Sequence, residues 1–166
     1  MLLRFDIIKD NAADLGSLFE MKSQNSDVYW SGYTAAPDKN KFAEWYAGQL
    51  QRNDRKIWLV RDIQNKGTTL GYLYLTFENQ SVYLSHGVKE EHAGKNIGSA
   101  IINYATNICL TFYPEYNIES WIVEPNVASV NTFLKNSFRK TELVKETYYA
   151  SFQKNLVMHN YSFQKG

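Results

Sequence analysis

The sequence predicts a mixed α/β domain: a central, mostly antiparallel sheet of about seven strands, flanked by about four helices. Three observations predict this class. The 166 residues suit one domain with a substantial hydrophobic core. Apolar positions change from a helical period near the start to a period of two in the middle, and both patterns recur afterwards. No repeat or linker-like stretch interrupts residues 1–166, so we expect a single domain.

The first quarter of the chain predicts one strand and two helices. The stretch "LLRFDII" (2–8) is typical of a strand. In "AADLGSLFEMK", Leu15 and Leu18 recur at helical spacing, and in "KFAEWYAGQLQR", Phe42 and Trp45 do the same. The polar segment between them, "SQNSDVYWSGYTAAPDKN", predicts a turn-rich loop.

The middle of the chain predicts three consecutive strands, at 56–62, 69–78 and 81–88. Gly67 supplies a turn between the first two strands, and a tight "NQ" turn joins the last two. Because each connection is short, we expect an antiparallel meander.

The second half predicts a helix, a strand, a second helix and a final pair of strands. The first helix runs from about residue 96 to residue 112 and ends before Pro114. A strand follows at 117–124, then a helix with Asn126 as its N-cap, then two long strands around "QKN". The predicted buried stripe of the first helix is Ile97, Ile101, Ala105, Ile108 and Phe112.

Composition excludes several classes of protein. The net charge is +1 and no basic block is present, so we expect no nucleic-acid partner. Apolar runs are too short to span a membrane, and the N-terminus lacks the signal-peptide pattern. Cys109 is the only cysteine, which suits a reducing compartment, and we expect a soluble, cytoplasmic protein. No Cys/His cluster has metal-ligand spacing.

The segment "EEHAGKNIGSAII" (90–102) carries the first functional signal. Gly94 and Gly98 lie around Lys95, directly before a predicted helix. Free amides and the dipole at a helix N-terminus bind anions, and glycines let a bulky diphosphate approach. From this segment alone, an ordinary strand-to-helix turn explains the glycines equally well.

The wider context resembles the GCN5-related N-acetyltransferase (GNAT) superfamily. The six residues "AGKNIG" (93–98) are similar to its phosphate-binding loop, Arg/Gln-x-x-Gly-x-Gly/Ala, and "VEPNVASVNTFLKNSF" is similar to its second signature. The closing "NLVMHNYSF" is similar to the branch of ribosomal-protein and nucleotide-sugar acetyltransferases. Ala93 and Asn96 depart from the loop pattern, but Asn tolerates left-handed backbone angles.

The resemblance implies acetyl-CoA as cosubstrate. Residues 87–89 would pair with the pantetheine amides, and the amides from 94 to 99 would hold the diphosphate, with the Ser99 hydroxyl as a further donor. Asn126 is equally explained as a helix N-cap, and Asn131 as a solvated helix residue. The implied cofactor-binding residues are Gly87, Val88, Lys89, Gly94, Lys95, Asn96, Ile97, Gly98, Ser99, Asn126 and Asn131.

The implied reaction is direct attack of an amine on the thioester carbonyl in a ternary complex. Many relatives protonate the departing thiolate with a tyrosine, but here Phe133 occupies that position and cannot donate a proton. His86 and Glu124 are the catalytic candidates, although each is also explained by an ordinary strand position. The candidates for the missing acid are Tyr148, Tyr149 and Tyr161.

The acceptor is the least determined part of the prediction. Tyr29, Trp30 and Tyr33 are candidates for stacking against it, and Asp27 and Asp38 for attracting a cationic amine. An amino-sugar nucleotide, a protein or peptide amine, and a small amine such as a polyamine all remain open. Dimers are common in this superfamily, so the resemblance implies a homodimer.

Two other functions also remain open at this point. One is a non-catalytic acyl-CoA-binding or sensing domain on the same fold, which the altered loop and Phe133 would suit. The other is an unrelated α/β interaction domain whose glycine turn arises by chance.

Overall fold

Seven strands form one sheet in the computed structural model, which describes residues 1–65 and 67–166. The strands are β1 (Leu3–Ile7), β2 (Arg55–Asp62), β3 (Thr69–Glu78), β4 (Ser81–Val88), β5 (Asn117–Val123), β6 (Phe138–Tyr149) and β7 (Lys154–Phe163). The helices are α1 (Ala12–Ser23), α2 (Asn25–Trp30), α3 (Lys39–Leu50), α4 (Ile97–Phe112) and α5 (Val127–Lys135). The strand order is β1-β2-β3-β4-β5-β7-β6, and every neighbouring pair is antiparallel except β4 and β5.

The predicted fold class and element order are confirmed, with one addition. The segment predicted as a loop between α1 and α3 contains the six-residue helix α2. A helix this short shows no readable period and depends on tertiary contacts, and here the buried side chain of Asp27 provides them. Lys66, in the predicted loop between β2 and β3, lies outside the described residues.

The sheet separates two apolar layers because side chains alternate along its central strands. On β2, Trp58 and Val60 face the layer formed with α4, while Ile57 and Leu59 face α1 and α3. The α4 layer is the larger and extends to α5. The site residues therefore stand on a sheet that is covered on both faces.

The buried stripe of α4 differs from the prediction at its C-terminal end. Ile97, Ile101 and Ala105 are buried as predicted, but Phe112 is 66% exposed, because the last turn lies at the protein surface. Cys109 completes the stripe, and burial raises the pKa of its thiol to about 12. No helix in the described part of the chain is long and apolar enough to cross a membrane.

The parallel pairing of β4 with β5 ends early. It contains three pairs, from Ser81 with Asn117 to Tyr83 with Glu119, although both strands continue beyond them. The Ser120 hydroxyl donates a 2.9 Å hydrogen bond to the Leu84 carbonyl at the point where the pairing stops. Beyond this point the strands separate, and a cavity opens between them.

Gly87 on β4 allows a close approach from the α1 and α3 side of the sheet. A Cβ at this position would lie 2.4 Å from Cε1 of Tyr72 and 2.9 Å from Oδ2 of Asp27. These contacts are shorter than any side chain accepts, so the ring and the carboxylate can occupy these positions only beneath a glycine.

We predict that Gly87→Ala lowers the free energy of unfolding by about 1–3 kcal/mol, because Tyr72 and Asp27 must move to admit the methyl group. Urea denaturation measures the difference. Gly48→Ala in α3 is the control: its added Cβ meets nothing within 4 Å, and we expect it to stabilise by about 0.5–1 kcal/mol. A Gly87→Ala variant as stable as the parent protein would contradict the packing described here.

Candidate active site

A cleft of about 540 Å³ extends from the end of β4 across the N-terminus of α4 to α5, and we call it the loop cleft. All of the predicted cofactor-binding residues line it except Lys89 and Lys95. Those that do are Gly87, Val88, Gly94, Asn96, Ile97, Gly98, Ser99, Asn126 and Asn131.

Six consecutive backbone amides, from residue 94 to residue 99, have no hydrogen-bond acceptor among the described residues. The first bond of α4 runs from the Ala100 amide to the Asn96 carbonyl, 3.1 Å away, and the Asn96 side chain does not cap the helix. Gly94 (φ 78°) and Asn96 (φ 62°) both adopt left-handed backbone angles, so asparagine takes the conformation expected of it. Free amides and the helix dipole together make this loop suitable for a diphosphate.

Lys89 points away from the loop cleft. Its ammonium lies 3.2 Å from Glu20 and 3.5 Å from Glu91, and these carboxylates raise its pKa. Its backbone amide donates to the Leu70 carbonyl at 2.8 Å, so it is not free to pair with a ligand. Lys95 also lies off the lining, 3.2 Å from a ring nitrogen of His92.

Polar atoms at the loop cleft are partly engaged by neighbouring residues. The Asn126 side chain accepts a hydrogen bond from the Ser129 amide at 3.2 Å, so it caps α5 and also faces the cleft. The Ser99 hydroxyl accepts from Asn136 at 2.8 Å, which leaves its own proton free to donate.

The gap between β4 and β5 forms a second cavity of about 240 Å³, which we call the strand slot. Residues 84–86 of β4 form one wall and residues 120–123 of β5 form the other. Beyond the last ladder pair, no register pairing joins the facing edges of these strands in the described residues. His86, Asn126 and Ser129 line both the slot and the loop cleft, so the two cavities meet.

His86 lies at this junction and is neutral at physiological pH. A Cβ on Gly98 would be 3.4 Å from its Nε2, and its ring meets Phe133 edge-on with centroids 5.6 Å apart. Burial lowers the pKa of His86 to about 4, which a favourable interaction with Asp27 only partly opposes. A neutral imidazole of this pKa is a weak base, but it donates a hydrogen bond well.

Tyr149 and Phe133 both line the strand slot, and only Tyr149 carries a hydroxyl. Phe133 is 1% exposed and packs edge-on against Phe138, with centroids 4.9 Å apart. The Tyr149 ring packs against Gly32, and burial raises the pKa of its hydroxyl, so the group keeps its proton. Tyr148 is 62% exposed and Tyr161 is buried in the core; neither lines the slot.

Glu124 lies outside both cavities. Its amide donates to the Val157 carbonyl at 2.9 Å, which directs the chain toward β7 instead of β4. Its side chain is 66% exposed and lies 3.1 Å from Nε2 of His159, beside a separate surface depression. The structure therefore does not bring Glu124 to His86.

Asp27 is the residue at which the cavities meet. Its carboxylate is buried; it lies 2.6 Å from the Lys22 ammonium and accepts a 2.5 Å hydrogen bond from the Tyr72 hydroxyl. Burial raises the pKa of Tyr72 well above its usual value, so this hydroxyl remains a donor. Asp27 lines the loop cleft, the strand slot and a third cavity.

The third cavity, the helix groove, has a volume of about 670 Å³ and lies beside α2, α3 and β3. Of the aromatic residues predicted to contact an acceptor, Tyr33 lines this groove and Trp30 lines the other two cavities. Tyr29 lines none of the three and packs against Phe152, with ring centroids 4.7 Å apart. Asp38 borders the groove, but its carboxylate caps α3 through the Lys41 amide at 2.9 Å.

Sequence reasoning did not identify Lys22, Tyr72 or Arg55 as site residues. The alternation of β3 places Tyr72 and Tyr74 on one face, which is a usable signal for the groove wall. Lys22 and Arg55 carried no local signal, because only the tertiary fold brings them to Asp27 and Tyr74. Within residues 1–65 and 67–166, no group of three or more potential ligands is arranged to hold a metal ion.

Comparison with known proteins shows the family to which the chain belongs. The sequence model described as "Acetyltransferase (GNAT) family" matches residues 21–138, more than two thirds of the chain. No curated protein sequence matches the chain significantly.

Solved structures share the fold at low sequence identity. The spermidine N-acetyltransferase of Vibrio cholerae, in complex with CoA and spermine, superimposes with a TM-score of 0.82 at 17% identity, covering 96% of this chain and 94% of that one. A dodecameric form of the Vibrio cholerae enzyme, in an intermediate state, gives a TM-score of 0.77 at 19% identity, covering 98% and 94%. At these identities the likeness establishes a shared fold.

We predict that Gly98→Glu weakens the binding of acetyl-CoA at least about tenfold, because a carboxylate would face the diphosphate at the free amides. Equilibrium dialysis measures the affinity. Gly98→Gln has nearly the same size without the charge, and we expect a smaller loss. Unchanged affinity in a folded Gly98→Glu variant would show that this loop does not bind the diphosphate.

We also predict that the protein loses stability in weak acid through His86. The unfolded chain binds a proton at a pKa near 6.5 and the folded chain only near 4, so stability is full above pH 6.5 and falls toward pH 4. His86 contributes at most about 3 kcal/mol to this loss in the free energy of unfolding. Urea denaturation at several pH values should show that the stability of His86→Asn changes less between pH 6.5 and pH 4 than that of the parent protein, and equal changes would contradict the lowered pKa of this imidazole.

Proposed function

Because the chain belongs to the acetyltransferase (GNAT) family, we propose that it transfers an acetyl group from acetyl-CoA to a primary amine, by direct attack in a ternary complex. The observation that carries this proposal is the junction of the loop cleft with the strand slot at His86. Because the chain belongs to this family, the hypothesis of an unrelated interaction domain is excluded.

The residues that line the loop cleft and the strand slot are suited to binding acetyl-CoA. Six free amides at the N-terminus of α4 suit a diphosphate, and Lys135 adds a donor along the loop cleft. The open edge of β4 offers backbone groups to the amides of a pantetheine arm. When bound, acetyl-CoA supplies an activated thioester whose carbonyl an amine attacks.

Two side chains of the strand slot, His86 and Tyr149, have chemical properties that suit the reaction. His86, held neutral by burial, can donate a hydrogen bond to a developing oxyanion. Tyr149, held protonated, can give its proton to a departing thiolate. These assignments replace Glu124 and the family's usual tyrosine in the mechanism.

Asp27 can orient the incoming amine. It is the only carboxylate among the described residues that line the loop cleft or the strand slot. Its two oxygens accept bonds from Tyr72 and Lys22 and keep further lone pairs free, so an ammonium beside Lys22 can still be held. Proton removal from that ammonium would proceed through this carboxylate or a water beside it.

The acceptor belongs to one of three classes: an amino-sugar nucleotide, a peptide or protein amine, or a small amine. The closing segment, similar to ribosomal-protein and nucleotide-sugar acetyltransferases, favours an amino sugar or a protein N-terminus. A homodimer and a cytoplasmic location stay predictions, the second based on the single cysteine.

A non-catalytic acyl-CoA-binding domain is the second candidate function, and Phe133 is the observation that favours it. This phenylalanine is fully packed in the core and donates nothing to a leaving group. A thiol-release assay with acetyl-CoA and a broad amine panel separates the two functions. Turnover with any amine supports the enzyme, while saturable cofactor binding without turnover supports the sensor.

We predict that Tyr149→Phe lowers kcat about 100-fold with little change in KM, because it removes the proton donor and keeps the ring on Gly32. Steady-state thiol release measures both constants. Tyr148→Phe, at the exposed neighbouring position, is the matched control and should leave both unchanged. Equal kcat values for the two variants would exclude Tyr149 as the acid.

A further inference from the structure

The charges of the helix groove indicate what kind of amine it receives. Five charged side chains line it: Lys22, Asp27, Asp38, Lys41 and Arg55. Both carboxylates already have partners within the protein, since Asp27 pairs with Lys22 and Asp38 caps α3. A hydrogen bond from an amide leaves the charge of Asp38 in place, so three cations and two carboxylates give the groove one net positive charge.

Arg55 is a cation of the groove whose side-chain hydrogen-bond partners are all neutral. Its guanidinium donates to Thr76 at 3.0 Å and to Gln49 at 3.2 Å, both neutral, and no carboxylate in the described chain pairs with it. The nearest acid in sequence, Asp54, is held instead by Arg52 through two bonds of 2.8 Å. A partly buried guanidinium without a counter-ion is a favourable site for phosphate or carboxylate oxygens.

Two further features point in the same direction. The Lys41 ammonium is exposed at the groove, in the first turn of α3, where the helix dipole adds positive potential. The wall between the two ends of the groove is Tyr74, whose ring centroid lies 5.5 Å from Cζ of Arg55 and 5.9 Å from Nζ of Lys22. The groove is thus cationic at the α3 end and meets the strand slot at the Lys22–Asp27 pair.

We propose that the acceptor is an anionic amine: a molecule that carries a phosphate or carboxylate group, bound by Arg55 and Lys41, as well as the amine that is acetylated. This inference rests on the proposed acetyl transfer. The anionic group binds at the α3 end and the amine reaches Asp27, next to the slot. The volume of about 670 Å³ is large enough for a phosphorylated sugar or a nucleotide-linked one.

The same charges make a polyamine a poor acceptor. A molecule such as spermidine would bring several positive charges to a groove in which three cations already outnumber two carboxylates. The solved Vibrio cholerae enzyme holds spermine, so acceptor charge is where we expect this chain to differ from it.

Matched pairs of amines test the proposal in the presence of CoA, by calorimetric binding. Glucosamine 6-phosphate is compared with glucosamine, and phenylalanine with phenylalaninamide, so that each pair differs in its acidic group. Uridine diphosphate glucosamine and spermidine complete the panel. We expect an acidic member to bind at least about tenfold more tightly than its partner, and the pair that shows this identifies phosphate or carboxylate as the anion.

Substitutions in the helix groove test whether its cations cause the preference for the acidic amine. Arg55→Gln should reduce the preference about tenfold, and Lys41→Gln, at an exposed position that tolerates substitution, should reduce it by a smaller factor. Arg4→Gln, an exposed arginine outside the groove, is the control and should leave it unchanged.

Equal binding within both pairs, or tightest binding of spermidine, would overturn the proposal. A preference that survives both Arg55→Gln and Lys41→Gln would overturn it as well. Thiol release from acetyl-CoA, measured with the same amines, tests the chemistry separately. If an anionic amine binds through Arg55 and no amine is acetylated, anion recognition stands and the proposed acetyl transfer fails.

Discussion

The early end of the β4–β5 ladder is the constraint on which the site depends. Two parallel strands that stop pairing at Tyr83 and Glu119 leave backbone donors and acceptors exposed in the interior of a sheet. Unpaired groups of this kind need partners, and in the proposed function a pantetheine arm would supply the amides that a further strand supplies elsewhere in a sheet. His86 on β4 and Tyr149 at the end of β6 both line the cavity that this separation opens.

A second constraint connects the cavities to one another. Gly87 lets Tyr72 and Asp27 pack directly beneath β4, and the short hydrogen bond between them fixes the Asp27 carboxylate where the three cavities meet. Lys22 neutralises that carboxylate, which makes its burial tolerable. Gly87 thereby determines the position of the carboxylate that we propose holds the acceptor amine.

Features encoded by local pattern were predictable from the sequence, and features set by distant contacts were not. The strand periods, the left-handed Asn96 and the open loop before α4 all follow from residues close in the chain. The direction of Glu124 depends on its hydrogen bond to β7, and the helix α2 on the burial of Asp27. Tyr149 enters the slot only because the final hairpin folds back over Gly32.

The central claim is that the loop cleft and the strand slot together form one acetyl-CoA site. Calorimetric titration of the protein with acetyl-CoA, with free CoA alongside, tests it most directly. We predict saturable binding of both ligands at one site per chain, because the free amides from residue 94 to residue 99 and the open edge of β4 would recognise parts that the two ligands share. Absence of saturation at about 1 mM ligand, an affinity of only ~4 kcal/mol, would contradict it.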